Sequence, residues 1–248
     1  MPDIIAKTSV SEPFRVLAVG AGNGKPYDEE LLSMLCTSQK HVVYTVVEPS
    51  ETAVKEFQDL VRNKYSSIEF RWFCMTWQDF QDEEWKKKDT SKYNIIHFVH
   101  SVYYISSSVE ELRERMNRCY TEMLYAGGAI IISAASRKGK CYYMSHNPDS
   151  ISKFLGDFNM ILKIATEQGW RADADELQFQ FDLSKCFVED SVEGNLLLDF
   201  ITHVKDFRLT ASREMFEYMM KKLDEQTHGV EKIVYPCIFD VTTIWKED

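Results

Sequence analysis

A glycine-rich turn between a buried strand and a helix constrains the fold of this chain more than any other segment. The run Phe14–Val19 (FRVLAV) is apolar enough for a strand buried on both faces, and the sequence GAGNG follows it at residues 20–24. Pro26 and three acidic residues come next, a pattern typical of a helix start. Such a turn brings backbone N–H groups and a helix N-terminus against a ligand. We therefore expect a ligand site at this turn.

The spacing of the glycines limits which ligand this is. A phosphate-binding P-loop is excluded, because Gly24-Lys25 leads into Pro26 and no Ser or Thr follows the lysine. The G-x-G-x-G spacing also fits a dinucleotide fingerprint poorly. Glu48 ends the next strand, Val42–Val47, where a carboxylate can accept both hydroxyls of a ribose. We predict a nucleoside-type ligand; the alternative is a purely structural turn with a solvated Glu48.

Strand-like and helix-like segments alternate through the first half of the chain. Further buried strands are predicted at Ile68–Phe73, Tyr93–Val99 and Gly128–Ala135. Helical segments are predicted after the first, second and fourth strands, whereas the segment Asp82–Lys88 after the third strand is charged and looks exposed. In the second half we predict a polar loop at 136–150 and three helices at 158–168, 196–204 and 212–226. We also predict a half-exposed strand at 177–183 and a closing strand at 232–245. We expect an α/β fold with a central, mostly parallel seven-stranded sheet, an antiparallel last strand and helices on both faces.

We find no repeat, low-complexity tract or linker, so we expect one domain over residues 1–248. Residues 1–13 are predicted to be a short N-terminal tail, and 136–248 to carry substrate-side insertions and the closing strands. The 29 Lys and Arg against 39 Asp and Glu give a net charge of −10. That charge disfavours nucleic acid and anionic membranes as partners. No signal peptide or membrane span is visible, so we expect a cytoplasmic monomer.

Metal and disulfide chemistry find little support in the sequence. The six cysteines are scattered without a CxxC pair, so we expect reduced thiols and neither a disulfide framework nor a zinc cluster. His97 and His100 are three residues apart on a predicted strand and so point to opposite faces. We predict that His97 is a core residue, and we expect no metal site.

The motifs described so far resemble those of class I S-adenosylmethionine-dependent methyltransferases, and within that class the chain resembles histamine N-methyltransferase. Six segments covering most of Phe14–Phe200 carry the resemblance: RVLAVGAGNG, VVEPS, FRWFCMTWQDFQ, IIHFVHSVYYI, GGAIIISAAS and CFVEDSVEGNLLLDF. The resemblance implies a Rossmann-like class I methyltransferase fold and S-adenosyl-L-methionine as cofactor, with S-adenosyl-L-homocysteine as product.

The resemblance also assigns cofactor contacts. Gly20 and Glu48 match positions that hold the methionine part and the ribose of the cofactor. Trp77 matches a position that contacts the adenine side, and Val99 matches one that makes an apolar contact to the cofactor. Ala53 stands where the family has a glutamine, so one cofactor hydrogen bond is expected to be absent. The complete set of expected cofactor residues is Gly20, Ala21, Gly22, Gly24, Glu48, Pro49, Ser50, Thr76, Trp77 and Val99.

The expected substrate residues depart from the family pattern. Tyr103 and Tyr104 match its paired tyrosines, but His100 replaces a glutamine that holds the imidazole of histamine. His100 is predicted to act as a base or to orient the substrate. Relatives also carry an N-terminal segment that covers the site, and the residues before Phe14 do not match it. Near Cys237 the family has an asparagine that contacts the substrate, and this chain has no amide there. Tyr142 and Tyr143 are the nearest replacements for the family's loop tryptophans.

These departures predict N-methylation of a small amine or imidazole-type compound other than, or besides, histamine. Two alternatives stay open: a small-molecule O-methyltransferase, or a catalytically inactive methyltransferase-fold protein that binds a partner. The missing lid and Ala53 favour the inactive protein, whereas the glycine turn and Glu48 favour a working cofactor site.

Overall fold

The computed structural model describes residues 2–8, 13–37, 41–87, 91–139, 158–202, 204–227 and 231–247. Within that part of the chain seven strands form one sheet. They are β1 Phe14–Val19, β2 Val42–Val47, β3 Ile68–Phe73, β4 Tyr93–Val99, β5 Leu124–Ala135, β6 Arg171–Asp182 and β7 Ile233–Trp245. Their order in the sheet is β3-β2-β1-β4-β5-β7-β6.

Parallel pairing brings the ends of the central strands to one edge. The pairs β1–β2, β2–β3, β1–β4 and β4–β5 are all parallel. In this register Val19, the last residue of β1, lies opposite Val47 of β2 and Phe98 of β4. The glycine turn, Glu48 and His100, which follow these three strands, therefore emerge at the same edge of the sheet.

Nine α-helices surround or follow these strands in the described residues: α1 Pro2–Lys7, α2 Tyr27–Thr37, α3 Glu51–Val61, α4 Trp77–Lys86, α5 Val109–Arg118, α6 Phe158–Glu167, α7 Val192–Thr202, α8 Phe207–Thr210 and α9 Arg213–Gln226. Side-chain caps explain several starts. The hydroxyls of Ser50, Thr76 and Ser108 each accept a backbone N–H from the first turn of α3, α4 or α5. Short 3₁₀ turns lie at Val102–Tyr104 and Ser184–Phe187, and a π-helical turn lies at Cys119–Met123.

The chain divides into two compact units. Unit 1 contains Met1–Ala134, Leu155–Asp175 and Val241–Asp248, and unit 2 contains Ala135–Phe154 and Glu176–Asp240. In unit 1, alternate residues of β1 enter two core clusters, with Leu17 in one and Val16 in the other, because successive strand side chains point to opposite faces. Unit 2 has a core of its own, made by Leu183, Cys186, Leu198, Ile201, Phe207, Leu223, Val234 and Cys237.

The predicted fold class is confirmed, but several elements differ from their predicted bounds: β5 begins at Leu124, four residues before the predicted Gly128, and α7 covers Val192–Thr202, not 196–204. The seven-stranded sheet is mostly parallel and its last strands are antiparallel; reciprocal hydrogen bonds join Lys246 to Gly127 and Gly128. Strand β6 begins six residues before the predicted Leu177, because its charged first half, RADADE, has no β-branched or large apolar residue to mark it as a strand. Helix α4 was also missed: Asp82–Lys88 looks exposed in sequence, yet Phe80, Gln81 and Glu84 are buried.

The cysteine prediction needs one correction. Cys36, Cys74, Cys119 and Cys186 are free thiols as expected, but Cys237 is disulfide-bonded. The expectation that all six are reduced is therefore wrong at this position. Sequence spacing does not report which cysteines the fold brings together in space.

A buried polar cluster connects helix α2 to strands β2 and β4. The Tyr44 hydroxyl donates to Asp28 Oδ1 (2.5 Å), and His97 Nε2 lies 3.2 Å from the same oxygen and 3.1 Å from the Tyr44 oxygen. His97 is only 1 % exposed, which confirms its prediction as a core residue. The three groups come from α2, β2 and β4, so one cluster joins the elements that carry the glycine turn, Glu48 and His100.

No described helix is both long and apolar enough to cross a membrane.

We expect Asp28→Asn to lower the free energy of unfolding by about 2–4 kcal/mol, because it removes the charged acceptor from two buried partners. Urea unfolding measures this loss. Glu30→Gln, on the same helix turn but exposed, is the control, with an expected change within about 0.5 kcal/mol. Equal effects of the two substitutions would contradict the assigned role of the cluster.

Candidate functional site

A cavity of about 320 Å³ opens in unit 1 at the carboxyl edge of the central strands. Its volume lies within the range of small-molecule sites. The lining residues come from the ends of β1, β2 and β4, the start of α4 and the 3₁₀ turn after β4: Val19, Gly20, Val47, Glu48, Pro49, Thr76, Trp77, Gln78, His100, Ser101, Tyr104 and Ile105.

Two glycines are required by close packing around the turn. Gly20 has φ +65°, and a Cβ placed on it would lie 2.4 Å from the Cβ of Ser101. The Ser101 hydroxyl also donates to the Val19 carbonyl at 2.5 Å, so the end of β1 and the segment after β4 are in direct contact. A Cβ on Gly24 would lie 2.5 Å from the Phe57 ring. Gly22, with φ +57°, has no atom within 4 Å of its missing Cβ.

The carboxylate of Glu48 joins the turn to the end of β2. Its Oε2 accepts the Gly22 N–H at 2.9 Å and its Oε1 accepts the Ser50 N–H at 3.0 Å. The residue is 8 % exposed and lines the cavity. Each carboxylate oxygen has a second lone pair, so Glu48 can accept further hydrogen bonds from the hydroxyls of a ligand.

The start of α4 supplies an aromatic wall. Trp77 is 4 % exposed and packs edge-on against Phe98, with ring centroids 5.5 Å apart. Its indole Nε1 is buried without a hydrogen-bond acceptor among the described residues. Gln78 Nε2 donates to the Tyr104 carbonyl at 2.9 Å, which connects this wall to the turn after β4.

His100 occupies a strained position directly after β4. Its φ of +53° lies in the left-handed region, which residues with a Cβ seldom adopt and which is enriched at functional sites. Its backbone N–H donates to the Ser133 carbonyl at 2.9 Å. Desolvation by neighbouring protein atoms lowers the pKa of the imidazole. The lowered pKa favours the neutral ring.

The two predicted tyrosines differ in their surroundings. Tyr104 is 64 % exposed and lines the cavity. Tyr103 is half-buried and packs against the core of unit 1, so it is not part of the lining. The two rings are nearly perpendicular, at 86°, with centroids 6.1 Å apart.

Several expected residues lie near the cavity without lining it. Gly22 and Ser50 hold Glu48 through their N–H groups, Ala21 and Gly24 are joined by a turn hydrogen bond, and Val99 is half-buried at the end of β4. Tyr142 and Tyr143 lie outside the described residues. Cys237 is fully buried in the core of unit 2. The contacts expected of these residues stay predictions.

Sequence reasoning missed five lining residues, namely Val19, Val47, Gln78, Ser101 and Ile105. All five directly adjoin predicted site residues along the chain. Ser101 carried a usable signal, because a glycine at the end of β1 needs a small neighbour on the adjacent strand. Among the described residues, no group of three or more His, Cys, Asp or Glu side chains could hold a metal ion.

Several known proteins are similar to this chain in sequence or in fold. No protein-family model matches the chain. Histamine N-methyltransferase of Bos taurus is 25% identical over 244 residues, covering 94% of this chain and 81% of that protein. The Danio rerio enzyme is 28% identical over 228 residues, covering 87% and 75%. A solved structure from Bacillus halodurans, assigned as a methyltransferase, aligns with a TM-score of 0.56 at 12% identity, covering 99% and 98%.

The strand order, the glycine turn and these structural neighbours together define the class: the chain has the class I S-adenosylmethionine-dependent methyltransferase fold. Within that class it resembles histamine N-methyltransferase along nearly its whole length.

The cavity fits S-adenosylmethionine on the chemistry of its lining. Glu48 has buried lone pairs of the kind that accept from the hydroxyls of a ribose, and Trp77 has an indole N–H with no acceptor among the described residues. The space at Gly22 leaves its turn open to a ligand. Tyr104 adds an exposed ring face, which suits a sulfonium cation.

We expect Gly20→Ala to lower the free energy of unfolding by about 2–4 kcal/mol, since it adds both a steric overlap with Ser101 and left-handed strain. Gly22→Ala is the matched control, because it adds the strain without an overlap; about 1 kcal/mol is expected. Urea unfolding compares the two variants. Adding Ser101→Gly to Gly20→Ala should recover the steric part, and a failure to recover any stability would contradict the packing described.

Proposed function

We propose that this protein is an S-adenosylmethionine-dependent N-methyltransferase that acts on a small amine or imidazole-type compound. The observation that carries the proposal is one cavity lined both by the expected cofactor residues Glu48 and Trp77 and by the expected substrate residues His100 and Tyr104. The similarity to histamine N-methyltransferases supports the choice of nitrogen as the methyl acceptor. We further propose a cytoplasmic enzyme of small molecules, because the net charge of −10 disfavours nucleic acid and anionic membranes.

The proposed cofactor residues bind S-adenosylmethionine and do not react with it. S-adenosylmethionine, when bound, supplies an electrophilic methyl group on a sulfonium. Glu48 holds the ribose through its free lone pairs, while its bonds to Gly22 and Ser50 keep the carboxylate from turning away. Trp77 bounds the adenine side. Methyl transfer is an in-line displacement, so positioning of the two reactants can supply much of the rate.

His100 orients the acceptor through a neutral imidazole. Because its pKa is lowered, the ring keeps a lone pair at neutral pH and accepts an N–H from the acceptor. An amine or imidazole nitrogen that already has a lone pair needs no strong base. His100 therefore holds the acceptor, or receives the proton that the product nitrogen releases.

The described lining supports the proposal that histamine is not the sole substrate. Glu48 is the only carboxylate among the described lining residues, and its two oxygens already accept backbone N–H groups. The lining thus offers no second acid to pair with a substrate ammonium. An acceptor recognised through a neutral polar ring by His100 and the ring of Tyr104 suits this surface better.

We expect Glu48→Gln to weaken binding of S-adenosylhomocysteine by about 10- to 100-fold, because a charged acceptor for the ribose is lost. Isothermal titration calorimetry measures the Kd. Glu51→Gln, exposed on the neighbouring helix α3, is the control and should bind as the native chain does. Unfolding curves check that the glycine turn is intact. Failure of the native chain to bind either S-adenosylmethionine or S-adenosylhomocysteine would overturn the proposed cofactor.

His100→Gly should separate function from stability. Removing the Cβ relieves left-handed strain, so the free energy of unfolding should hold or rise by about 1 kcal/mol. Turnover of amine and imidazole acceptors with labelled S-adenosylmethionine should fall at least tenfold, and about 10²-fold or more if His100 takes the proton. Asn63→Gly, also at a positive φ of 64°, is the matched control and should leave turnover unchanged.

The pH dependence of turnover by the native chain and by His100→Gly gives a second measurement. The lowered pKa places the acid limb of kcat/KM below the ordinary histidine value of about 6.5, with activity lost as pH falls and the ring protonates. The limb should vanish in His100→Gly. Undiminished turnover by that variant, or turnover of alcohols and phenols in place of nitrogen acceptors, would contradict the proposed chemistry.

A further inference from the structure

One hydrogen bond joins two walls of the cavity. Gln78, in the first turn of α4, donates from its Nε2 to the Tyr104 carbonyl at 2.9 Å. Both residues line the cavity, Gln78 on the wall that begins α4 and Tyr104 on the wall formed by the 3₁₀ turn after β4. A carbonyl oxygen can only accept a hydrogen bond, so the NH₂ group of the amide is the end that faces Tyr104.

The backbone of Tyr104 is held on both sides of its Cα atom. Its N–H donates to the Ser101 carbonyl at 3.1 Å, and its own carbonyl accepts the Gln78 amide. A helical turn of three residues cannot satisfy its last carbonyl groups internally, so a donor from outside the turn is needed. Because these two bonds restrict both backbone dihedrals, they also fix the direction in which the Tyr104 side chain leaves the backbone.

The ring of Tyr104 has few other contacts that could place it. The residue is 64% exposed. Among the described residues its one aromatic contact is the edge-on contact with Tyr103, and its hydroxyl makes no hydrogen bond there. The position of the ring in the cavity lining therefore depends mainly on its backbone, and so on the bond from Gln78.

The donor itself belongs to a rigid part of the fold. Thr76 caps α4, because its hydroxyl accepts the Asp79 N–H at 3.2 Å and donates to Asp79 Oδ2 at 2.6 Å. Trp77, directly before Gln78, is 4% exposed and stacks on Phe80, with ring centroids 5.8 Å apart. A glutamine between a capped helix start and a buried ring can hold a neighbouring segment in place.

We propose that Gln78 is a positioning residue, which fixes the ring of Tyr104 against the methyl acceptor and so contributes to acceptor binding. The inference rests on the proposed function, because Tyr104 meets an acceptor only if the cavity binds one. The role differs from that of Glu48: loss of the Gln78 amide weakens binding of the acceptor and leaves binding of the cofactor unchanged.

Gln78→Met tests the proposal, because methionine has nearly the length of glutamine and a high helix propensity but no N–H donor. The KM of amine and imidazole acceptors should rise about 3- to 10-fold, the effect of one lost hydrogen bond, while kcat changes less than about twofold. The Kd of S-adenosylhomocysteine should stay within about twofold of the native value. A Kd that rises together with KM would assign Gln78 to the cofactor and overturn the proposal.

The matched control is Gln58→Met in α3. Gln58 is also a half-buried helical glutamine, and its side chain makes no hydrogen bond to a described residue. This variant should keep the KM, kcat and Kd of the native chain. An equal rise in KM in both variants would contradict a specific role for Gln78.

A double-mutant cycle with Tyr104→Ala shows whether Gln78 acts through the ring. Alanine removes the ring and keeps the carbonyl that accepts the Gln78 amide. The double variant should therefore have the same acceptor KM as Tyr104→Ala alone, because no ring is left to position. Additive effects of the two substitutions would overturn the proposal.

Hydrogen–deuterium exchange supplies a readout that does not depend on activity. Gln78→Met should speed the exchange of amides in residues 101–107 about 3- to 10-fold, because opening of this turn no longer breaks the bond. Peptides from α5 should exchange as in the native chain. Unchanged exchange in residues 101–107 would overturn the proposal. If instead the native chain turned over no acceptor, the proposed function would fail, and faster exchange in the variant would still support the placement of Tyr104 by Gln78.

Discussion

The contact between Gly20 and Ser101 is the constraint on which the glycine-turn side of the cavity depends. It allows the end of β1 and the segment after β4 to meet at a distance that no other residue at position 20 would permit. The Ser101 hydroxyl then satisfies the Val19 carbonyl, which would otherwise end the strand without a partner. From this contact the glycine turn projects toward Glu48, and His100 is held one residue before Ser101.

Sequence reasoning located the backbone-determined part of this arrangement. Strands β1 to β4 were predicted with the boundaries they have, because runs such as FRVLAV and VVYTVV are buried on both faces and stop at turn residues. Glu48 was found by its place after β2. The positions of Tyr103 and Gln78 were not predictable: paired tyrosines look alike in sequence, and only packing places Tyr103 against the core and Tyr104 on the cavity.

Helix α4 is an element that the sequence pattern does not reveal. Its sequence, WQDFQDEEWK, is dominated by charge, so its apolar face is too short to recognise by periodicity. Burial depends instead on specific partners: Gln81 Nε2 donates to the Arg115 carbonyl, Gln81 Oε1 accepts from the Arg115 guanidinium, and Glu84 accepts the Ser91 N–H. A polar side chain can be buried when its hydrogen bonds are met, and those partners lie too far along the chain for a local pattern to reveal.

The two sides of the cavity are built by different kinds of interaction, and this difference bears on how specificity can change. The proposed cofactor side depends on backbone N–H groups, positive φ angles and one carboxylate, so we expect most substitutions there to cost stability as well as binding. The proposed substrate side depends on two exposed residues, His100 and Tyr104, so we expect their replacement to leave the fold intact. A chain only about a quarter identical to histamine N-methyltransferases can therefore keep the cofactor site while its acceptor changes.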